Sequence, residues 1–235
     1  MSAENTISGG VPYFTLNNGL KMPTVGLGCV SSLFRGLYAP LTSFDTQMLD
    51  GRHRKSEGGW RNVQGRPQGK FRSSFVAPGY GNEEEVGKAI RESGVPRNEI
   101  FLTTKLWNAN HHRVRDAFEA SLAALNCGYI DLYLMHFPQA EVDGRVLDAT
   151  EYPTVIDTWK QMEKLLETGK VKSIGVSNLS IKHLETLLPH CKVIPVTNQV
   201  QLHPCLPDAA LKEYCEAKGI LLTAYSPFDD MQDCS

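Results

Sequence analysis

Hydrophobic and polar positions from Glu99 to Tyr225 alternate between two patterns. Short apolar runs rich in strand-favouring residues, such as "YIDLYLMHF", alternate with longer segments that repeat apolar residues at helical spacing. One of the longer segments is "PTVIDTWKQMEKLLETG", and its final residue, Gly169, is a typical helix stop. Along the chain, this alternation predicts five strands separated by four helices.

Strict alternation of strands and helices indicates an α/β domain in which helices cover a parallel sheet. Two architectures fit this pattern, an open doubly wound sheet and a (β/α)8 barrel. A doubly wound nucleotide-binding sheet normally has G-x-G-x-x-G after its first strand, but the sequence "GLG" at Gly26 to Gly28 leads into no helix. We therefore predict a (β/α)8 TIM-type barrel and treat residues 1–235 as a single domain.

The N-terminal part of the chain adds a hairpin and one more strand. The stretch "YFTLNNGLKMP" predicts two short strands joined by a type I′ turn at Asn18-Gly19, placed to plug the bottom of the barrel, and "TVGLG" predicts the first barrel strand. Further along, "GNEEEVGKAI" predicts a helix with a capping box made by Asn82 and Glu85. About six of the eight strands are found, so we expect an incomplete barrel that lacks the second and eighth strands.

The segment Val30–Gly79 has no periodic pattern, and its charge differs from that of the rest of the chain. It carries eight Lys/Arg against three Asp/Glu, whereas the remainder carries 16 against 23. Two interpretations stay open, a disordered insertion in the barrel and a basic arm that binds nucleic acid. The basic residues are scattered with no motif around them, which favours the insertion.

The composition is typical of a globular protein, with 41% hydrophobic and 21% charged residues and a net charge of −2. No apolar run is long enough to cross a bilayer, and the N-terminus does not resemble a secretory signal. We therefore expect no membrane association and a cytoplasmic location. The six cysteines form no C-x-x-C pair and no grid with histidine, which predicts free thiols and no structural metal.

Polar side chains stand at the predicted carboxyl end of every strand after Glu99, and Tyr80 precedes a helix at the matching level. The strand-end residues are Lys105, His136, Ser177 with Asn178, Gln199, and Tyr225 with Ser226. The active site of a (β/α)8 enzyme lies at the carboxyl ends of its strands, so these residues are expected to converge. Each also has an ordinary structural interpretation: a lysine that reaches solvent, a core histidine, a helix cap, or residues at the rim.

Tyrosine, lysine and histidine together suit proton donation to a carbonyl group. A phenol with a pKa of about 10 is a poor acid at neutral pH unless a nearby cation, such as an ammonium group, lowers that pKa. A neutral imidazole can orient the carbonyl oxygen. No nucleophile elbow and no H-E-x-x-H helix competes with this interpretation.

Several stretches of the sequence resemble the aldo-keto reductase family, with the nearest likeness to fungal glycerol, xylose and aldehyde reductases. They are "GYGNEEEVGKAI", "LTTKLWN", "IDLYLMHFP", "SIGVSN", "TNQVQLHP" and "LLTAYSP". The likeness covers Tyr13 to Gly28 and Tyr80 to Pro227. It implies a barrel that binds NADPH across its top, without a glycine-rich loop, and transfers hydride to an aldehyde or ketone.

The resemblance implies a catalytic role for three of the polar residues. Tyr80 would be the general acid, Lys105 the cation that tunes it, and His136 the group that orients the carbonyl. The substrate pocket would include Trp107 and also Phe137, which stands where many members have tryptophan.

The resemblance also implies a cofactor site. Ser177, Asn178 and Gln199 would hold the carboxamide of the cofactor. Tyr225 would stack on the nicotinamide ring, and Ser226 would contact the pyrophosphate.

The sequence departs from the family pattern at several points. Phe75 stands where the family has an aspartate that pairs with the lysine, and Cys29 stands where members usually have threonine. The last strand with its phosphate-binding run is not found, nor is the C-terminal loop of the substrate pocket, which indicates a truncated C-terminus. Val30–Gly79 resembles translated non-coding sequence inserted in place of the strand-2 region. We therefore expect the chain as written to have weak activity or none.

Three functions stay open at this level. They are NADPH-dependent reduction of a small carbonyl compound, a non-catalytic nicotinamide-nucleotide-binding or regulatory module, and nucleic-acid binding through Val30–Gly79. The presence of Tyr80, Lys105 and His136 favours the first, with NADP as cofactor and no nucleic-acid partner. The preference for NADP over NAD rests on the resemblance, and the residues do not name the carbonyl substrate.

Overall fold

A computed structural model of the chain describes residues 6–7, 11–28 and 73–227. The strands in these residues are β1 (Thr6–Ile7), β2 (Val11–Thr15), β3 (Lys21–Pro23), β4 (Leu27–Gly28), β5 (Ser73–Phe75), β6 (Phe101–Leu106), β7 (Ile130–Met135), β8 (Glu141–Val142), β9 (Arg145–Val146), β10 (Val171–Ser177), β11 (Thr197–Gln201) and β12 (Leu221–Tyr225). The α-helices are α1 (Glu83–Glu92), α2 (Val114–Leu125), α3 (Val155–Leu165), α4 (Ile181–Leu187) and α5 (Ala209–Ala217).

Seven strands form one parallel sheet in the order β12-β11-β10-β7-β6-β5-β4. The helices that join successive strands pack on its outer face in one large apolar cluster. The sheet curves into a near barrel, and within the described residues β4 and β12 are its two edges. The five strands and four helices predicted after Glu99 are all present, which confirms the predicted TIM-type architecture.

The expected number of strands needs correction. Ser73–Phe75 lie inside the segment predicted to be an insertion, yet they form β5 and pair with β4 on one side and β6 on the other. Val76 and Ala77, which follow, are fully buried. The sheet therefore has seven strands rather than about six, and residues 73–79 belong to the fold. The three residues of β5, two of which are serine, are too few and too polar to show the alternating apolar pattern of a strand. Their strand conformation comes from pairing with a neighbour on each side. Residues 30–72 of the predicted insertion lie outside the described residues.

The N-terminal hairpin covers the amino ends of the sheet strands, as predicted. Strands β2 and β3 pair antiparallel, and Leu16 and Met22 are buried in an apolar cluster with inward-facing residues of β6 and β7. The Asn17 amide donates to backbone carbonyl groups just before β11 and β12, at 3.1 and 3.2 Å. The predicted type I′ turn is wrong, because Gly19 has a positive φ of 85° but Asn18 does not.

The first helix begins where the sequence predicts it, but its capping box does not form. Asn82 is the N-cap residue of α1, and its side chain makes no capping hydrogen bond. The capping boxes are found instead at α3 and α4, where the cap residues are Thr154 and Ser180. The start of α1 is therefore held by other contacts.

The cysteines meet the expectation only in part. Cys127, Cys191 and Cys215 are free thiols. Cys205 is disulfide-bonded, so the expectation of six free cysteines is wrong for this residue. Within the described ranges, no helix combines the length and the apolar character needed to cross a membrane.

Candidate active site

The register of the sheet places the polar strand-end residues on its inner face. Side chains of paired residues in parallel strands face the same side, as do alternate residues along one strand. Leu132 and Leu134 belong to the inner apolar cluster above the hairpin. Lys105 is paired with Leu134, and His136 lies two residues beyond Leu134, so both face the inside at the carboxyl end. The pairing of Ser177 with Gln199 continues this row on β10 and β11.

Tyr80 and Lys105 meet at this end of the sheet. Tyr80 ends the short 3₁₀ turn Pro78–Tyr80 that precedes α1, and the Lys105 Nζ donates a hydrogen bond of 3.1 Å to its hydroxyl oxygen. Lys105 is only 5% exposed, so its ammonium group acts in surroundings of low polarity. A cation at this distance stabilises the phenolate form of a tyrosine and so makes its proton easier to release.

His136 lies within an aromatic enclosure just beyond β7. Its ring centroid is 6.1 Å from that of Tyr80, 5.2 Å from that of Trp107 and 4.9 Å from that of Phe137, on which it stacks. Burial first, and the positive charge of Lys105 second, lower the pKa of His136 to about 2. The imidazole is therefore neutral at physiological pH, with one donor and one acceptor nitrogen.

Asn178 connects this aromatic group to the neighbouring strands. Its Nδ2 donates to the carbonyl oxygen of His136 at 3.0 Å, and its Oδ1 accepts from the hydroxyl of Tyr225 at 2.9 Å. The hydroxyl of Ser177 and the backbone N–H of Asn178 both donate to the carbonyl oxygen of Gln199, at 2.7 and 2.9 Å. Because Ser180 caps α4, the cap interpretation of Ser177 and Asn178 does not hold.

Gln199 carries an amide with free hydrogen-bonding capacity in this row. The residue is 3% exposed, and its side chain makes no hydrogen bond to any residue in the described part of the chain. Ser226 follows Tyr225 with a positive φ of 49°, and no hydrogen bond joins it to the other described residues of the row. The structure therefore brings Ser177, Asn178, Gln199 and Tyr225 together and leaves Ser226 at the end of the row.

Phe75 occupies the position at which the resemblance would place an aspartate. It is paired with Thr103 across β5 and β6, and Lys105 lies two residues farther along on the same face. The Phe75 ring is half-buried against the inner cluster and reaches the backbone of Gly26, where a Cβ atom would lie 2.2 Å from the ring. Phe75 therefore makes this corner of the site aromatic and itself supplies no carboxylate.

Gly79 is a site residue that the sequence pattern did not reveal. A Cβ atom at this position would lie 2.3 to 2.7 Å from three atoms of the Trp107 ring, so the indole packs directly on the glycine backbone. The Pro78-Gly79 dipeptide signals a turn but gives no hint of the aromatic partner. The glycine allows Trp107 to stand beside His136.

A near barrel of parallel strands with a Tyr–Lys–His group at its carboxyl end has the architecture of (β/α)8 enzymes, in which the active site lies at the strand ends. Among the residues the structure describes, no group of three or more His, Cys, Asp or Glu side chains could hold a metal ion. A model of the Aldo/keto reductase family matches residues 76–230. The chain belongs to the aldo/keto reductase family, and its named relatives are oxidoreductases.

Two yeast proteins are among these relatives. The aldehyde reductase YPR1 of Saccharomyces cerevisiae is 38% identical over 232 residues, which cover 91% of this chain and 67% of the yeast protein. Glycerol 2-dehydrogenase (NADP(+)) of the same yeast is also 38% identical, over 94% of this chain and 70% of the yeast protein. D-galacturonate reductase of Hypocrea jecorina is 39% identical, with 91% and 67% covered. This chain thus spans about two thirds of the length of these proteins.

Solved structures show the same relationship. The Bombyx mori aldo-keto reductase in complex with NADP superposes with a TM-score of 0.78 at 32% identity, covering 94% of this chain and 67% of the silkworm chain. An aldo-keto reductase from a deep-sea metagenome library superposes with a TM-score of 0.73 at 36% identity, covering 93% and 69%. The fold and the family are therefore established together.

Proposed function

We propose that this chain carries the site of an NADPH-dependent reductase of aldehydes or ketones, either of the sugar and polyol type or of general aldehydes. The observation that carries the proposal is the 3.1 Å contact between the Lys105 Nζ and the Tyr80 hydroxyl beside a neutral, buried His136. The named relatives support the substrate class, because they include reductases of aldehydes and of D-galacturonate and a dehydrogenase of glycerol.

The residues present fit a nicotinamide cofactor. A carboxamide needs one hydrogen-bond donor and one acceptor, and the uncommitted amide of Gln199 offers both beside the Ser177 hydroxyl. The Tyr225 ring is held by its bond to Asn178, which suits it to lie flat against an aromatic ring. Ser226, next along the chain, would face the phosphates. When bound, NADPH supplies the hydride.

The protein groups would each perform one task in the reaction. The neutral His136 donates a hydrogen bond that holds the carbonyl oxygen of the substrate near Tyr80. Tyr80 then gives its proton to that oxygen, and the Lys105 ammonium stabilises the phenolate left behind. The rings of Trp107 and Phe137, which stand against His136, form apolar walls that limit access of water.

A non-catalytic nicotinamide-nucleotide-binding module is the second candidate function. Phe75 favours it, because it supplies no carboxylate beside Lys105. Catalysis and binding can be separated by measurement. Binding is followed by titrating NADPH fluorescence with the full-length chain, and catalysis by NADPH oxidation with glyceraldehyde, glyoxal and D-galacturonate as substrates.

Tyr80→Phe tests the proposal against a matched control, Tyr152→Phe, in which the same change is made at a tyrosine that is 70% exposed. We expect Tyr80→Phe to abolish NADPH oxidation without changing NADPH affinity, and Tyr152→Phe to change neither. An equal rate of oxidation in both variants would exclude Tyr80 as the acid. NADPH binding without oxidation in the unmodified chain would establish the second candidate instead.

A further inference from the structure

A buried carboxyl group lies on the outer face of β6, behind the proposed catalytic pair. Glu83, the first residue of α1, is 8% exposed, and the fully buried Thr104 donates a hydrogen bond of 2.6 Å to its Oε1. Burial raises the pKa of the Glu83 carboxyl, and the hydrogen bond from Thr104 opposes that rise. Tyr133, which is paired with Thr104 across β6 and β7, lies on the same outer face, and its pKa is raised first by burial and second by the charge of Glu83.

The sequence positions of Glu83 and Thr104 relate them directly to the site. Glu83 lies three residues after Tyr80, and Thr104 lies one residue before Lys105. Successive side chains of a strand point to opposite faces, so Thr104 faces the helices while Lys105 faces the inside of the barrel. The hydrogen bond between Glu83 and Thr104 thus joins the segment that bears Tyr80 to the strand that bears Lys105.

The segment that bears Tyr80 is fastened to β6 on both sides of the tyrosine. Before it, the backbone N–H of Val76 donates to the carbonyl oxygen of Thr103 at 2.9 Å. After it, Glu83 accepts from Thr104. Between these two bonds, the chain makes the 3₁₀ turn Pro78–Tyr80 and passes through Gly81, whose φ is 65°. A turn that ends in a glycine is easily deformed, so the second bond fixes where the tyrosine stands.

A general role in stabilising the helix does not account for a carboxyl group at this place. Acidic residues near a helix N-terminus stabilise the helix by interacting with its dipole. Glu84 and Glu85 already provide that negative charge from exposed positions. A third carboxyl that is buried has a desolvation cost that an exposed one avoids. What the buried position adds is the hydrogen bond from Thr104, which an exposed carboxyl group could not accept.

We infer that Glu83 and Thr104 are positioning residues that hold the Tyr80 hydroxyl against the Lys105 ammonium. This inference rests on the proposed function, because it concerns the pair assigned there to proton donation. The inference goes beyond the proposed function because the residues that position Tyr80 and Lys105 lie on the opposite face of β6.

The test follows ionisation of the Tyr80 phenol by NMR in the full-length chain with tyrosines labelled by ¹³C at Cζ, and needs neither cofactor nor turnover. The Tyr80 signal is the one missing from Tyr80→Phe among the signals of the eight tyrosines. We expect Lys105→Met to raise the midpoint of this titration by about one pH unit, since a cation in contact lowers a phenol pKa by that order. Thr104→Val is expected to raise it by at least half of the Lys105→Met shift.

Two controls separate positioning from general damage. Thr104→Ser keeps the hydroxyl and is expected to titrate like the unmodified chain. Thr158→Val makes the same change at another fully buried threonine, which hydrogen-bonds to the carbonyl oxygen of Thr154 and to His111, and should leave Tyr80 unaffected. If Thr104→Val does not fold, the double variant Glu83→Met/Thr104→Val removes both partners of this hydrogen bond together, so that neither is left buried without the other.

The outcomes distinguish the inference from the proposed function. If Lys105→Met raises the midpoint but neither Thr104→Val nor the folded double variant does, the positioning role is wrong and the Tyr80–Lys105 pair stands. If Lys105→Met itself leaves the midpoint unchanged, the coupling assigned to the pair is wrong, and Glu83 and Thr104 have nothing to position.

Discussion

The hydroxyl of Tyr225 donates a hydrogen bond of 2.9 Å to the Oδ1 of Asn178, 47 residues away. Asn178 has a left-handed backbone with φ of 62°, a conformation that asparagine tolerates better than most residues. Its other amide atom donates to the carbonyl oxygen of His136. One side chain therefore links the ring proposed to stack on the cofactor with the strand end that carries the proposed carbonyl-orienting group.

Tyr225→Phe is expected to weaken NADPH binding by a factor of three to ten, roughly the worth of one hydrogen bond. The ring is retained, but it loses the bond that holds its orientation, and the Oδ1 of Asn178 loses its donor. Titration of NADPH fluorescence measures the change. Tyr214→Phe, at a half-buried tyrosine of α5, is the matched control and should bind as the unmodified chain does. Equal affinity in both variants would contradict the proposed role of Tyr225.

Gly79→Ala is expected to displace the Trp107 ring. The new Cβ atom would lie 2.3 Å from the nearest ring atom, and Gly79 does not have a positive φ, so the effect is one of overlap rather than backbone strain. Overpacking of this kind costs about 1–3 kcal/mol in the free energy of unfolding. Urea unfolding measures that loss, and tryptophan fluorescence reports the moved ring.

The double variant Gly79→Ala/Trp107→Leu serves as the control for this prediction. Removing the indole removes the overlap, so the alanine should cost little in the Trp107→Leu background. If Gly79→Ala were as stable as the unmodified chain, with unchanged fluorescence, close packing of Trp107 on residue 79 would be wrong.

The regular part of the fold could be predicted from the sequence because its buried apolar residues recur at the spacing of a strand or a helix. Strand β7 and helix α3 each show their pattern over many residues, and parallel strands must present their carboxyl ends together. That geometry was enough to predict that Lys105 and His136 would lie at the same end of the sheet although they are on different strands.

The parts of the fold that the sequence did not predict depend on contacts with distant residues rather than on the spacing of apolar residues along the chain. Ser73–Phe75 become β5 only because strands lie on both sides. Asn82 has the right identity for a capping box, yet the bond that secures the start of α1 is the buried contact of Glu83 with Thr104. Neither outcome is visible in the identity of the residues concerned, since both are decided by what packs against them.

Phe75→Asp is expected to raise the rate of carbonyl reduction if the proposed function holds. The new carboxylate would lie on the inner face, opposite Thr103 and two residues short of Lys105 along β6. There it would favour the charged form of the Lys105 ammonium. Loss of the half-buried ring from the inner cluster should lower the free energy of unfolding by about 1–3 kcal/mol. Single-turnover NADPH oxidation and urea unfolding measure the two effects.

Phe75→Asn is the matched control for that change, because it has the size of aspartate without the charge. It should lose the same stability and gain no rate. A rate in Phe75→Asp no higher than in Phe75→Asn would show that a carboxylate at this position does not act on Lys105.

Two buried histidines are expected to destabilise the chain in acid. Burial is the first cause that lowers the pKa of His136 to about 2 and that of His111 to about 4, whereas unfolded histidine titrates near 6.5. Between these values, the unfolded state binds more protons than the folded state, so stability is full above pH 6.5 and falls as the pH falls. From pH 7 to pH 5, each histidine should cost about 2 kcal/mol.

Urea unfolding at a series of pH values measures this dependence, and the comparison with variants isolates the histidines. His136→Gln and His111→Gln should each flatten the loss of stability between pH 7 and pH 5 by about 2 kcal/mol. The raised pKa values of Glu83 and Asp131 act in the opposite direction, but both groups are common to every variant and cancel in the difference. His190→Gln, at an exposed histidine, is the control for the change of residue type. If His136→Gln kept the full acid sensitivity, the imidazole would titrate in the folded chain as it does in the unfolded chain, and burial would not keep it neutral at pH 5.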